Sequence, residues 1–132
     1  MAHALVESHK GGPSSYIRYE VDVPCKDQLF TEDFELVPGV KIINLPGHTI
    51  GHAGIMVTLE YSGNMIFPLD ALYSRANYGP PARLAGGVYD SLSFFKSTEK
   101  VRKLERDYNA KVMFSHDMEF FQTMRLAPHY YD

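Results

Sequence analysis

Phe34-Glu35-Leu36-Val37, Pro38-Gly39, Val40-Lys41-Ile42-Ile43-Asn44-Leu45, then Pro46-Gly47-His48-Thr49: this stretch reads as two short strands around a tight turn, stopped by a Pro-Gly break. Downstream, Gly54 to Glu60 predicts a further strand and Ser62-Gly63-Asn64 a turn. Met65-Ile66-Phe67-Pro68-Leu69 is a short apolar run, predicting a buried strand that delivers Asp70 at its end. Upstream, Tyr16 to Val23 alternates apolar and polar residues, a half-buried strand with Ile17, Tyr19, Val21 and Val23 on one face and Pro24 as its stop. Gly11 to Ser15 reads as a loop. Residues 74–89 carry Gly79-Pro80-Pro81 and Gly86-Gly87 and form a long connection, the kind of segment that often carries function. Asp90 is placed to cap a helix from about Ser91 to Tyr108, with Leu92, Phe95, Val101, Leu104 and Tyr108 on one face. Lys111 to Ser115 predicts a last buried strand that ends at His116. Strands, a helix and a final strand make an α/β chain of layered α+β type, one mixed sheet covered on one face by a helix. No repeat and no low-complexity tract interrupts it.

The bulk numbers set limits. A chain of 132 residues is enough for one small domain. It is 45% hydrophobic and 22% charged, so an ordinary soluble domain is expected rather than disorder. The net charge is -3 and no Lys/Arg block appears, which argues against nucleic acid or an anionic membrane as partner. One cysteine, Cys25, permits no intrachain disulfide, and a cytoplasmic location is the expectation. No signal-peptide run opens the chain, and no stretch approaches the roughly 20 apolar residues of a membrane span.

Three polar residues stand at element ends. His48 lies in the Pro-Gly turn, and Asp70 and His116 each end a strand. Imidazole suits zinc and a carboxylate can bridge two ions. Strand ends in a layered fold converge on one edge, so the three could meet. Their separations of 22 and 46 residues are no metal motif in themselves. Read singly, His48 is equally a turn residue and Asp70 a cap.

The words around these residues go further. Leu45-Pro46-Gly47-His48-Thr49-Ile50-Gly51-His52, Pro68-Leu69-Asp70-Ala71 and Phe114-Ser115-His116-Asp117 resemble, in order and spacing, three segments of the metallo-β-lactamase superfamily. Tyr73, three residues after Asp70, and the His116-Asp117-Met118-Glu119 segment make the chain most similar to the N-acyl-homoserine lactonases. The resemblance covers residues 34–130, and 1–33 match only loosely.

The resemblance implies half of a metallo-β-lactamase αββα sandwich, with residues 1–132 as a single partial domain, the C-terminal half. It implies that His48, Asp70 and His116 are metal ligands, with Asp70 bridging two Zn2+ ions in a complete site. Asp70 and Tyr73 would be the catalytic groups, Tyr73 facing the substrate carbonyl, and His52 would stand behind the site without ligating. The reaction implied is opening of a small-molecule lactone or ester by a metal-bound hydroxide. The loop with Tyr78, Pro80, Pro81, Leu84 and Ala85 would either wall an acyl-chain pocket or simply cross the surface.

The superfamily's HxHxDH string is absent. His3 and His9 are six residues apart with no aspartate between them, and so do not replace it. The expectation is therefore a chain lacking its N-terminal half, with partial or no metal occupancy and an apolar sheet face that drives self-association or takes a partner chain. Three alternatives stay open: an inactive half-domain that self-associates, a superfamily hydrolase acting on another ester, thioester, phosphodiester or β-lactam, and a small binding module with structural histidines.

Overall fold

The structure, a computed structural model, describes Pro24, Lys26 and residues 28–132. By its internal contacts the chain divides into two units at Thr31, and the second, Glu32–Asp132, carries all the architecture that follows. The strand expected over residues 16–23 lies outside the described residues.

The second unit is an α+β layered fold built on one mixed sheet of five strands in the order β1-β2-β3-β4-β5. These are β1 (Phe34–Val37), β2 (Val40–Asn44), β3 (Ala53–Leu59), β4 (Gly63–Phe67) and β5 (Lys111–Val112). The first four pair antiparallel, as short connections allow. β5 joins β4 in parallel, which requires a crossover. The helix α2 (Ser91–Asp107) supplies it. One-turn helices α1 (Arg75–Tyr78) and α3 (Met118–Phe121) flank the crossover.

The β1–β2 turn follows its sequence. Pro38 and Gly39 are the two central residues, and Gly39 has φ +81°, the position of a tight turn where glycine costs nothing. Glu35 accepts the Gly39 N–H at 3.0 Å. The next turn falls at residues 60–62, two residues earlier than expected, because Gly63 and Asn64 already pair with Leu59 and Thr58 in the ladder.

Cross-strand pairing puts Met56, Ile66 and Val112 on one face of the sheet, with Ile43 opposite Gly54. This face joins Phe94, Val101 and Leu104 of α2 in the core. The other face carries Val40, Ile42, Ile55, Val57 and Phe67, all partly buried.

Helix α2 begins where expected. The Asp90 side chain accepts from the Leu92 and Ser93 N–H groups. Its buried face differs from the sequence reading: Leu92 is 63% exposed, and Phe95 and Tyr108 are also exposed. The buried residues are Phe94, Ser97, Thr98, Val101 and Leu104. Two of them are small hydroxyl residues whose polarity is satisfied locally, Thr98 Oγ1 by Phe94 O at 2.9 Å and Ser97 Oγ by Pro46 O at 2.6 Å. A hydropathy pattern passes over such positions.

Candidate metal centre

Three excursions from the sheet build the site. The first is the loop 45–52 between β2 and β3, closed at its base by Leu45 N–H donating to His52 O at 3.0 Å. Its Pro46-Gly47 bend sits on the start of α2. Tyr89 and Asp90 N–H groups both donate to Gly47 O at 3.0 Å, and Ser97 donates to Pro46 O. Gly47 has φ +146°, and a Cβ there would lie 2.8 Å from Phe94 N and Cα. Glycine is thus required both by the backbone and by the approach of the helix. His48 follows directly on this anchored bend.

The second excursion leaves β4. Asp70 is not at the tip of a strand, because β4 ends at Phe67 and Pro68 cannot continue the ladder. It sits in a 3-10 turn, Leu69–Ala71, entered through Leu69 in the left-handed region at φ 54°. A leucine there costs on the order of 1–2 kcal/mol, and such strain gathers at functional sites. His52 braces this turn: Ala71 N–H donates to His52 Nε2 at 3.0 Å, and Pro68 O lies 3.1 Å from the same nitrogen. Burial pushes the His52 imidazole below its ordinary value and outweighs the opposing pull of the Pro68 carbonyl. It stands behind Asp70 as a neutral ring.

The third excursion follows β5. That strand is two residues long rather than five, and Met113 adds one bond to Ile66 O at 2.8 Å. His116 lies in a bend beyond it, held by its N–H donating to Tyr73 O at 2.9 Å.

The three expected residues meet at one edge. Asp70 Oδ1 is 3.0 Å from His116 Nε2, and Asp70 Oδ2 is 3.7 Å from His48 Nε2. Each carboxylate oxygen faces a different imidazole. The Tyr73 ring packs edge-on against His116 with centroids 4.7 Å apart, and its hydroxyl is 3.3 Å from His48 Nδ1. Burial first, and the Asp70 carboxylate second, push the Tyr73 hydroxyl above its ordinary value, so it keeps its proton at neutral pH. His48, Asp70 and His116 side chains are 26%, 44% and 59% exposed, so a solute can reach the group.

The donor types fit a share of a metal site and do not complete one. Asp70 Oδ1 and His116 Nε2 stand within direct hydrogen-bond distance of one another. Among the described residues, no group of three or more His, Cys, Asp and Glu side chains is arranged to hold an ion.

Of the loop residues read either as a pocket wall or as a surface crossing, Tyr78 turns inward and Leu84 outward. Tyr78 lies in α1, packs on Phe114 with centroids 5.6 Å apart, and hydrogen-bonds Glu105 of α2. It is a strut between α1 and α2. Leu84 is exposed, and a Cβ added at Gly87 would lie 4.0 Å from the Tyr73 hydroxyl. Two residues that the sequence reading left without a role also stand at the edge. Arg75 and Asp117 pair across 42 residues, a separation that carries no local signal.

Comparison with known proteins bears on the fold and on the family it resembles. No family profile matches the chain. The N-acyl homoserine lactonase AiiB of Agrobacterium fabrum (strain C58) is 36% identical over 91 residues, 68% of this chain and 33% of that protein. An N-acyl homoserine lactonase of Bacillus sp is 32% identical over 103 residues, 78% of this chain and 40% of its own length. The solved structure of an N-acyl homoserine lactone hydrolase, with the product N-hexanoyl-L-homoserine bound at its catalytic metal center, superposes with a TM-score of 0.78 at 25% identity over 96% of this chain and 49% of that one. The match to lactonases and metal-dependent hydrolases is distant and consistent, and the fold is that of half a metallo-hydrolase sandwich. The chain spans 33% to 40% of the length of these curated relatives. Among the described residues no helix is long and apolar enough to cross a membrane.

Proposed function

We propose that this chain is one half of a lactonase-like metallo-hydrolase, that it carries an incomplete site, and that it does not turn over lactone by itself. One observation carries the reading. His48, Asp70, His116 and Tyr73 gather at one sheet edge, while the described residues supply no complete ligand set. His48, Asp70 and His116 would be this chain's residues for holding divalent ions, and Asp70, with one oxygen toward each imidazole, would be the ligand shared between them. Zinc is the ion expected from the resemblance. A tetrahedral zinc takes three or four ligands, and an imidazole with one carboxylate oxygen offers two. Tyr73 keeps its proton and is placed to donate to an oxyanion formed at this edge. Similarity to lactonases points to a lactone as the substrate of the completed site.

Val40, Ile42, Ile55, Val57 and Phe67 on the second face of the sheet are apolar and partly buried, the composition of a face that packs on a second sheet, and self-association of the chain is part of this proposal.

The test is metal content and N-acyl-homoserine lactone hydrolysis of the purified chain with added Zn2+, beside His48→Ala, with sedimentation equilibrium on the same samples. Expected are equal rates for the two proteins, fewer than two tightly held ions per chain, and a mass above the monomer. A rate well above that of His48→Ala, or a stoichiometric pair of ions, overturns the incomplete-site reading. A monomer overturns the association.

A further inference from the structure

Tyr73 and His116 come from segments that meet at two ties. One is the backbone bond from His116 N–H to Tyr73 O. The other lies a step outward. The Asp117 carboxylate accepts four N–H groups: Arg75 N at 3.0 Å and Arg75 Nε at 2.9 Å on Oδ2, and Arg75 Nη2 at 3.1 Å and Phe120 N at 2.8 Å on Oδ1. A single tie fixes a distance and leaves a hinge. A planar fork beside it fixes direction as well. We infer that the Arg75–Asp117 fork is a positioning device that sets the angle between the Tyr73 and His116 rings, and with it the approach of His116 Nε2 to Asp70.

The simpler role for Asp117 is the cap of α3. A cap uses the Phe120 N–H alone, whereas three of the four donors come from Arg75. The Asp117 side chain is 9% exposed while Arg75 is 48% exposed, so the carboxylate is the fixed anchor and the guanidinium closes over it from outside. Arg75 also lies over the Phe120 ring at 6.0 Å, a second contact with α3. Glu119, 90% exposed at 3.2 Å from Nη2, is a peripheral arm. Arg75 and Asp117 touch neither His48 nor Asp70 in any described bond, so both act through their neighbours.

The inference rests on the reading of Tyr73 and His116 as site residues only for its functional meaning; the ring geometry can be measured without it. The measurement is the nuclear Overhauser effect between the Tyr73 and His116 ring protons in metal-free protein, for wild type, Arg75→Ala, Arg75→Lys and Glu119→Gln. The effect falls with the sixth power of distance, so a widening of about 1 Å from the 4.7 Å ring separation weakens it roughly threefold. Arg75→Ala and Arg75→Lys are expected to show that loss, the lysine keeping charge but not the fork, while Glu119→Gln keeps the wild-type intensity. Amide shifts far from α1 and α3 should stay in place in all four, and Arg75→Lys serves if the alanine variant does not fold. Wild-type intensity in Arg75→Lys overturns the fork, and loss in Glu119→Gln overturns its assignment to Asp117. A parallel Co2+ titration against a chelator separates the two readings. If His116 ligates, Arg75→Lys loses affinity by on the order of 10-fold. A wild-type chain that takes no Co2+ is what the incomplete site expects, and the ring measurement still decides the fork.

Discussion

Gly47→Ala is the substitution that most directly joins the fold to the site. The added Cβ would sit 2.8 Å from Phe94 N and Cα, which are backbone atoms at the start of α2 and cannot swing aside. The residue also holds φ +146°, which an L side chain rarely adopts. Overpacking costs about 1–3 kcal/mol and forced backbone strain a further 1–3 kcal/mol. Relief requires the bend to lift off the helix, and that weakens the two bonds that Tyr89 and Asp90 make to Gly47 O. A total of about 2–6 kcal/mol is expected, which for a unit of this size lowers the melting temperature by roughly 10–45 °C. Thermal and urea unfolding followed by circular dichroism measure it. Gly51→Ala in the same loop is the control, because a Cβ there meets nothing within 4 Å. If Gly47→Ala unfolds within about 0.5 kcal/mol of Gly51→Ala, the account of how the bend is seated is wrong.

Ser97→Ala removes the bond to Pro46 O from a buried position, and urea unfolding should show a loss of about 1–2 kcal/mol. Acid stability should report Asp117. The bond from the Arg75 side chain holds its carboxyl well below the ordinary value of 3.8, so between those values the unfolded chain binds the extra proton. Its contribution is complete above about pH 5 and fades as pH falls through the folded value, so the stability gap between wild type and Asp117→Asn should narrow from about pH 5 to about pH 2. A gap that stays constant over that range would detach Asp117 from the acid response.

Much of the fold was legible because local chemistry decides it. Pro38-Gly39 sets the first turn, Asp90 caps α2, and the apolar runs at 40–45 and 54–60 are strands. Boundaries failed where a tertiary constraint overrode the pattern. Pro68 cut β4 short and moved Asp70 into a strained turn, and β5 kept only two residues because its partner strand had ended. The buried face of α2 was misread because Ser97 and Thr98 are polar by composition and satisfied by geometry. At the site, His48, Asp70 and His116 could be expected on one edge from the family-like words around them, since read singly each was equally a turn or cap residue. Arg75 and Asp117 could not, since a bond across 42 residues leaves no trace in either neighbourhood.

The pairing of β5 with β4 has a consequence for the order in which the chain folds. The antiparallel meander of β1 to β4 closes through short turns and can form early. Met65 and Ile66 find Lys111 and Val112 only after the helix between them has docked, since a parallel pair must close a long loop before any bond rewards it. His116 rides on that last strand. Refolding followed at His116 is therefore expected to lag behind refolding followed at the meander.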